Sequence, residues 1–172
     1  QGIPSILYKN GGFMQRLAGL KTELFEREDP NGHSVLQRFE FWKTGWNVFR
    51  QNWFAGVGPG DIDHAFQKQY ALDDSPLIQK NRLLSHNQYL SYMVSYGLIG
   101  ILLFMTVIFT FLYFFWKYAD LTALLFIVIA CLSFLVEDTL ETQMGVTFFA
   151  FFYGLSLGSV NWLKQKRDPS CK

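Results

Sequence analysis

Two side chains in this sequence have the chemistry to move a proton and hold a phosphate. His86 lies in the segment Arg82-Leu-Leu-Ser-His-Asn-Gln-Tyr-Leu90, and no charged residue follows it until Lys117. An imidazole titrates near neutrality, so it can take a proton from a hydroxyl and give it back. Its place, a few residues before a bilayer-length apolar run, is where a base acting on a lipid-anchored substrate would stand. Arg38 is the second. A guanidinium offers a planar fork of donors that fits a phosphate through two parallel bonds. Each has a plainer reading: a hydrogen-bonded interfacial histidine, and an arginine paired with Glu40 or Glu23.

Other groups invite weaker readings. Gly56, Gly58 and Gly60 in Asn52-Trp-Phe-Ala-Gly-Val-Gly-Pro-Gly-Asp61 permit a tight turn with close backbone approach. Their amides could hold a phosphate, but no Lys-Ser/Thr follows, so a structural turn is the simpler expectation. Asp61, Asp63 and His64 suggest a metal, yet two acids two residues apart do not share a helix face, and no second ligand cluster is visible. No metal site is expected. Asp73-Asp74 reads as a solvated loop. Glu137, Asp138 and Glu141 face either solvent or an active cavity. Tyr89, Tyr92 and Tyr96 follow His86 at helical spacing and either anchor at headgroups or line a glycan or polyprenyl groove.

These groups need elements to hold them. Ser34 is placed to cap a helix through Phe49, ending near Arg50–Asn52, with Phe39, Trp42, Trp46 and Phe49 on one face. Asp61 is placed to cap a second helix through about Tyr70. Asn81–Ser85 then leads into a helix carrying His86. Residues 1–34 read as irregular, with at most one short helix, punctuated by Gly11-Gly12, Pro30-Asn31-Gly32 and the charge run Glu26–Asp29.

The charge distribution divides the chain. Half of its 172 residues are hydrophobic, 18 are Phe, and only 17% are charged, too few for an ordinary soluble surface. Between 83 and 163 the charged residues are Lys117, Asp120, Glu137, Asp138 and Glu141 alone. Three membrane spans are expected: within 88–116, at 121–136, and at about 142–163. The second is short, about 24 Å at ~1.5 Å per residue. Lys117 and the tail residues Lys164, Lys166, Arg167 and Lys172 place the C-terminus in the cytoplasm by the positive-inside bias. Trp116, Tyr118 and Trp162 fall at the interfaces. The expected division is therefore an outer loop region over 1–85, a membrane region of three helices over 86–163, and a cytoplasmic tail over 164–172.

Several classes are disfavoured. The net charge of +1, without clustered basic residues, gives no sign of nucleic acid. Cys131 and Cys171 are not expected to pair. The spans carry no internal charge and no repeat, which argues against a transporter. A non-catalytic membrane scaffold stays open, and would make His86 and Arg38 dispensable. The chain begins with Gln1 and shows no signal peptide, so upstream residues are expected.

Arg38 followed by Phe41-Trp42, the Trp53-Phe-Ala-Gly-Val-Gly-Pro-Gly60 turn, His86-Asn87-Gln88-Tyr89-Leu90 and Gly97-Leu-Ile-Gly100, in that order before a span, resemble the O-antigen ligase/polymerase superfamily. Residues of about 34–160 carry the resemblance. It implies an all-α, polytopic membrane glycosyltransferase of GT-C-like type in the bacterial inner membrane, of which this chain is the C-terminal part. Residues 1–85 are then a helical periplasmic loop. It implies a glycan donor on undecaprenyl diphosphate, no cofactor, no nucleotide sugar and no metal. The acceptor is a sugar hydroxyl of lipid A–core in the ligase, another lipid-linked repeat in O-antigen, capsule or exopolysaccharide polymerases, and a protein in O-oligosaccharyltransferases. It implies catalytic roles for His86 and Arg38, and substrate contacts at Trp42, Gly58, Gly60, Asn87 and Tyr89. A further functional Arg of the family lies upstream of this pattern; Arg16 does not match its motif.

Overall fold

The structure, a computed structural model, describes residues 29–118 and 121–167, with backbone alone at 118 and 159–167. All regular elements among the described residues are helical: α1 Ser34–Gln51, α2 Ile62–Leu72, α3 Gln88–Tyr118, α4 Leu121–Ser133 and α5 Gln143–Arg167. Short 3-10 turns lie at Gln79–Asn81 and Thr139–Glu141. Arg16, Glu23, the two leading glycines, most of the Glu26–Asp29 run and Cys171 lie outside the described residues, as does the expected short helix before residue 29.

The first unit is α1, α2 and the start of α3. Its core is Phe41, Val48, Phe66, Tyr70, Leu77, Leu90 and Val94. The face of α1 turned to that core is Phe41, Thr44, Gly45 and Val48. The aromatic stripe is split: Phe39 and Trp46 are about half exposed, while Trp42 and Phe49 pack partly buried against the edge of the core. Gly45 explains the choice. A Cβ there would sit 2.9 Å from Leu90 and 3.0 Å from Phe66, so only the small-residue face permits α1, α2 and α3 to approach this closely. Tyr70 is fully buried and donates its hydroxyl to the Leu83 carbonyl at 2.7 Å. Burial pushes that phenol well above its usual range, which keeps it a neutral donor. The core takes Leu90 and Val94 from beyond residue 85, so its packing runs across that expected boundary.

Both expected caps differ in detail. The N-cap of α1 is His33, with no side-chain cap bond, and Ser34 is already helical. Asp61 does hold the N-cap position of α2, but its side chain makes no cap bond, and the helix continues to Leu72. Asp73 is not simply solvated: it accepts from Asn47 at 2.9 Å and Gln69 at 2.7 Å.

The decisive local event is at Gly97. There α3 breaks, with φ 64° and ψ −157°, a region open essentially to glycine. The break falls inside the first expected span. Tyr92 stacks on Phe104 with centroids 4.6 Å apart, although a straight helix would separate them by about 18 Å. The arms 88–96 and 98–118 are thus folded against each other. A break frees backbone groups that the helix would have paired. The turn after α1 takes them up: Val57 N–H donates to Val94 O at 2.8 Å, Gly58 N–H to Ser95 O at 2.9 Å, and Leu98 N–H to Trp53 O at 2.7 Å. The glycine-rich turn is the docking partner of a broken helix.

Of the apolar helices, Gln88–Lys117 alone among the described residues is long and apolar enough to cross a membrane; Leu121–Ser133 and Gln143–Gly158 are shorter. The helical part of the second expected span ends at Ser133, not Val136, because residues 134–138 turn back toward the first unit. The long arm of α3 and α4 run antiparallel, with Phe115 and Ala123 buried together near one end and Phe104 against Phe134 near the other. Phe126 of α4 packs on Phe149 and Phe152 of α5.

The glycines separate two causes of destabilisation. A Cβ at Gly97 would lie 2.3 Å from the Phe54 carbonyl oxygen, whereas one at Gly58 meets nothing within 4 Å. Gly58→Ala should therefore cost only its positive φ, on the order of 1–3 kcal/mol. Gly97→Ala adds a backbone collision and should lower the thermal midpoint in detergent considerably more. Equal midpoints for the two variants would show that the close approach at Gly97 does not matter.

Candidate functional site

Arg38, His86 and Glu137 come from three distant parts of the chain and meet at one place. Arg38 sits in the first turns of α1. His86 precedes α3. Glu137 lies in the turn between α4 and α5. One Arg38 amino group donates to the Val136 carbonyl, and the other to Glu137 Oε1 at 3.2 Å. His86 Nδ1 stands 3.9 Å from Glu137 Oε2. The sequence offered Glu40 or Glu23 as partners for Arg38; the carboxylate that pairs with it is almost a hundred residues away.

The turn docks through its backbone. Three successive carbonyls accept from the first unit: Phe134 from Gln88 N–H at 2.9 Å, Leu135 from the Asn87 amide at 3.0 Å, and Val136 from Arg38. These are groups that the end of α4 leaves without helical partners. Beyond them, Ser91 donates to Asp138 at 2.7 Å, and the fully buried Gln88 bridges Glu141 at 3.0 Å and the Leu140 N–H at 2.6 Å. Of the three acids, Asp138 and Glu141 are spent on holding the turn, and Glu137 faces the imidazole and guanidinium.

His86 is not part of the helix that the sequence placed it in. It has φ 46°, the left-handed region, and α3 begins at Gln88. Asn87 is the reason: its Oδ1 accepts from Leu90 N–H at 3.0 Å, which makes it the N-cap. On the other side Ser85 is buried. Its carbonyl accepts from Trp42 Nε1 at 3.0 Å, and its hydroxyl bonds Ser91 at 2.8 Å. Both neighbours of His86 are thus fastened, and its ring rests 5.9 Å from that of Phe41. The left-handed conformation of a non-glycine residue is held in place by these flanking bonds.

The other candidate residues divide into two groups. Trp42, Asn87 and Tyr89 surround the cluster, but their polar atoms are used internally; Tyr89 donates to the Cys131 carbonyl at 3.0 Å. Gly58 and Gly60 lie beyond the opposite end of α1 from Arg38, some ~20 Å along that helix at 1.5 Å per residue. The Gly58 amide is occupied by Ser95 O. Asp61, Asp63 and His64 are exposed at the start of α2, and no group of three His, Cys, Asp or Glu that could hold a metal occurs among the described residues. Tyr92 and Tyr96 line an apolar groove of about 580 Å³ with Ala55, Ile99, Gly100, Leu103, Phe104 and Val107.

Sequence reading left Glu137 undecided between cavity and solvent. A signal was present: Gln88, Ser91 and Ser95 form a polar stripe at helical spacing at the start of an otherwise apolar run. Such a stripe demands polar partners, and Asp138 and Glu141 supply them to Ser91 and Gln88, which brings the neighbouring Glu137 to the site.

Chemically, the arrangement suits charge handling next to proton transfer. Nδ1 is the imidazole nitrogen that faces the Glu137 carboxylate, and Nε2 is turned away from it. At 3.9 Å Nδ1 and the carboxylate are in ion-pair range but too far for a hydrogen bond. Arg38 uses only part of its donor set on Val136 and Glu137. The Arg38 and Glu137 charges offset one another, with nitrogen and oxygen 3.2 Å apart.

Asn87 has two structural bonds that a substitution can separate. Asn87→Ala loses the cap and the Leu135 tie and should destabilise by about 1–2 kcal/mol. Asn87→Asp keeps the cap acceptor and should recover most of that. Thermal unfolding in detergent measures both, and an alanine variant as stable as the parent would assign Asn87 to a ligand instead.

The family model described as O-Antigen ligase matches residues 5–105 of the chain. The matched stretch takes in Arg38, the glycine turn and the His86 segment, and ends before Glu137. No curated protein matches the chain.

Proposed function

Because the chain belongs to the O-antigen ligase family, more than half of it matching that family's model, we propose that it transfers a preassembled glycan from undecaprenyl diphosphate to a sugar hydroxyl of lipid A–core. The observation that carries this reading is the assembly of Arg38, His86 and Glu137 into one cluster beside an apolar helix long enough to cross a bilayer. The protein acts as a multi-pass component of the bacterial inner membrane. The long arm of α3, α4 and α5 are its spans, residues 1–85 face the periplasm, and the C-terminus is cytoplasmic.

In this mechanism the acceptor hydroxyl gives its proton to His86 Nε2 as its oxygen attacks the anomeric carbon. The bond from that carbon to the diphosphate oxygen breaks, and undecaprenyl diphosphate leaves with the electron pair. Direct displacement inverts the anomeric centre. Glu137 orients the imidazole through its Nδ1 side and stabilises the imidazolium that forms. Arg38 holds the departing diphosphate, with its charge preorganised by Val136 and Glu137. The leaving group is intrinsically good, so positioning and charge account for most of the required barrier reduction. Further positive charge comes from the family's upstream arginine. The groove beside Tyr92 and Tyr96 accommodates the prenyl chain of the donor.

The test is expression of the gene in cells lacking their own ligase and polymerase, with lipid A–core and undecaprenyl-linked glycans resolved by size. Glycan should appear on lipid A–core. His86→Ala should lower transfer by about 10²–10⁴-fold with helicity retained. Arg38→Lys, which loses the fork, should lower it by about 10²–10³-fold. Glu137→Gln should reduce turnover with little effect on stability, since the Glu137 side chain is more than half exposed. Full turnover in His86→Ala would remove the base assignment, and longer chains retained on undecaprenyl diphosphate would identify a polymerase.

A further inference from the structure

We propose that the Trp53–Phe54 turn is a bilayer anchor, with both rings lying in the headgroup layer of a phospholipid membrane at the outer end of the α3 long arm. The inference rests on the reading of that arm as a membrane span.

Trp53 and Phe54 are 54% and 57% exposed, although they belong to a turn whose backbone is firmly held. The turn is fixed to the span itself: the Trp53 carbonyl accepts from Leu98 N–H at 2.7 Å, and Leu98 is the first residue after the break. From Leu98 to Lys117 the arm is about 30 Å long at 1.5 Å per residue, the thickness of a hydrocarbon core. Trp116, 78% exposed, marks one end. The other end then falls at Leu98, and the Trp53–Phe54 pair is held there.

The surroundings favour lipid over a protein partner. The run from Gln51 to Gly60 carries no charge, and the exposed Arg50 precedes it, a cation suited to the phosphate level. Ala55, next to Phe54, lines the same apolar groove as Ile99, Leu103 and Val107. Those three residues are themselves exposed along the arm. The apolar surface of the turn is therefore continuous with the flank of the span, and a medium that covers one covers the other. Indole and phenyl rings are favoured where an apolar body meets a wet edge.

Tryptophan quenching tests the anchor. The chain is reconstituted in phosphatidylcholine vesicles that carry bromine either near the headgroups or near the chain ends. Versions retaining Trp53 alone or Trp116 alone, with the other tryptophans replaced by Phe, are compared. Because Trp42 helps to hold Ser85, the Trp53 signal is also taken by difference between the parent and Trp53→Phe. Trp53 emission should fall at least twofold with shallow bromines, less with deep ones, and hardly at all with aqueous iodide. Trp116 quenched by bromolipid while Trp53 is quenched only by iodide would overturn the anchor and leave the span intact. Neither quenched by bromolipid would remove the span reading and the anchor with it. Trp53 quenched more strongly by deep than by shallow bromines would place the turn in the hydrocarbon core and overturn its interfacial position.

Discussion

The structure depends on an exchange of backbone hydrogen bonds at Gly97. A helix that breaks at the end of an apolar arm leaves amides and carbonyls that neither lipid nor an apolar core can satisfy. The turn at 53–58 satisfies them, donating from Val57 and Gly58 and accepting at Trp53. The exchange allows the 88–96 arm to leave the line of the span and pack against α1, where Leu90 meets Gly45. It also sets the position of the residue just ahead of that arm, His86. Remove the break, and α3 would run straight, with its first turns and the histidine carried away from the arm's flank.

A second set of backbone bonds closes the site. The end of α4 presents three consecutive carbonyls, and the first unit donates to each of them through Gln88, Asn87 and Arg38. Bonds made by backbone and short side chains hold the turn more rigidly than contacts between long side chains would. Glu137 is positioned by this docking and needs no packing of its own; it is more than half exposed yet faces both Arg38 and His86. Arg38 serves two ends, as cap for α4 and as a charge beside the imidazole. That double use ties integrity of the fold to the electrostatics of the cluster, so activity measurements on Arg38 variants need a stability control beside them.

Much of the fold was legible because it follows from local pattern. The uncharged run from Asn87 to Trp116, the aromatic and small residues spaced along 34–51, and the punctuation at 52–61 each specify an element through period or turn chemistry. Boundaries were less legible. His33 and not Ser34 caps α1, and His86 lies outside the helix it was assigned to, because an asparagine one residue later takes the cap. Both alternatives are favourable locally, and packing chooses between them. The face of α1 that enters the core was also hidden: aromatic spacing suggested one stripe, but close approach at Gly45 required the other.

The sequence by itself determined the chemistry available, the imidazole and guanidinium in their motifs, and the long apolar arm, since residue type and hydropathy are properties of the chain read in order. The tertiary structure alone decided which carboxylate joins them, that Gly97 ends one helix and begins another, and that the Gly58 amide bonds the Ser95 carbonyl. These are pairings between residues some forty to a hundred positions apart. No local pattern encodes them, because each partner would be equally stable against water until the fold removes that option.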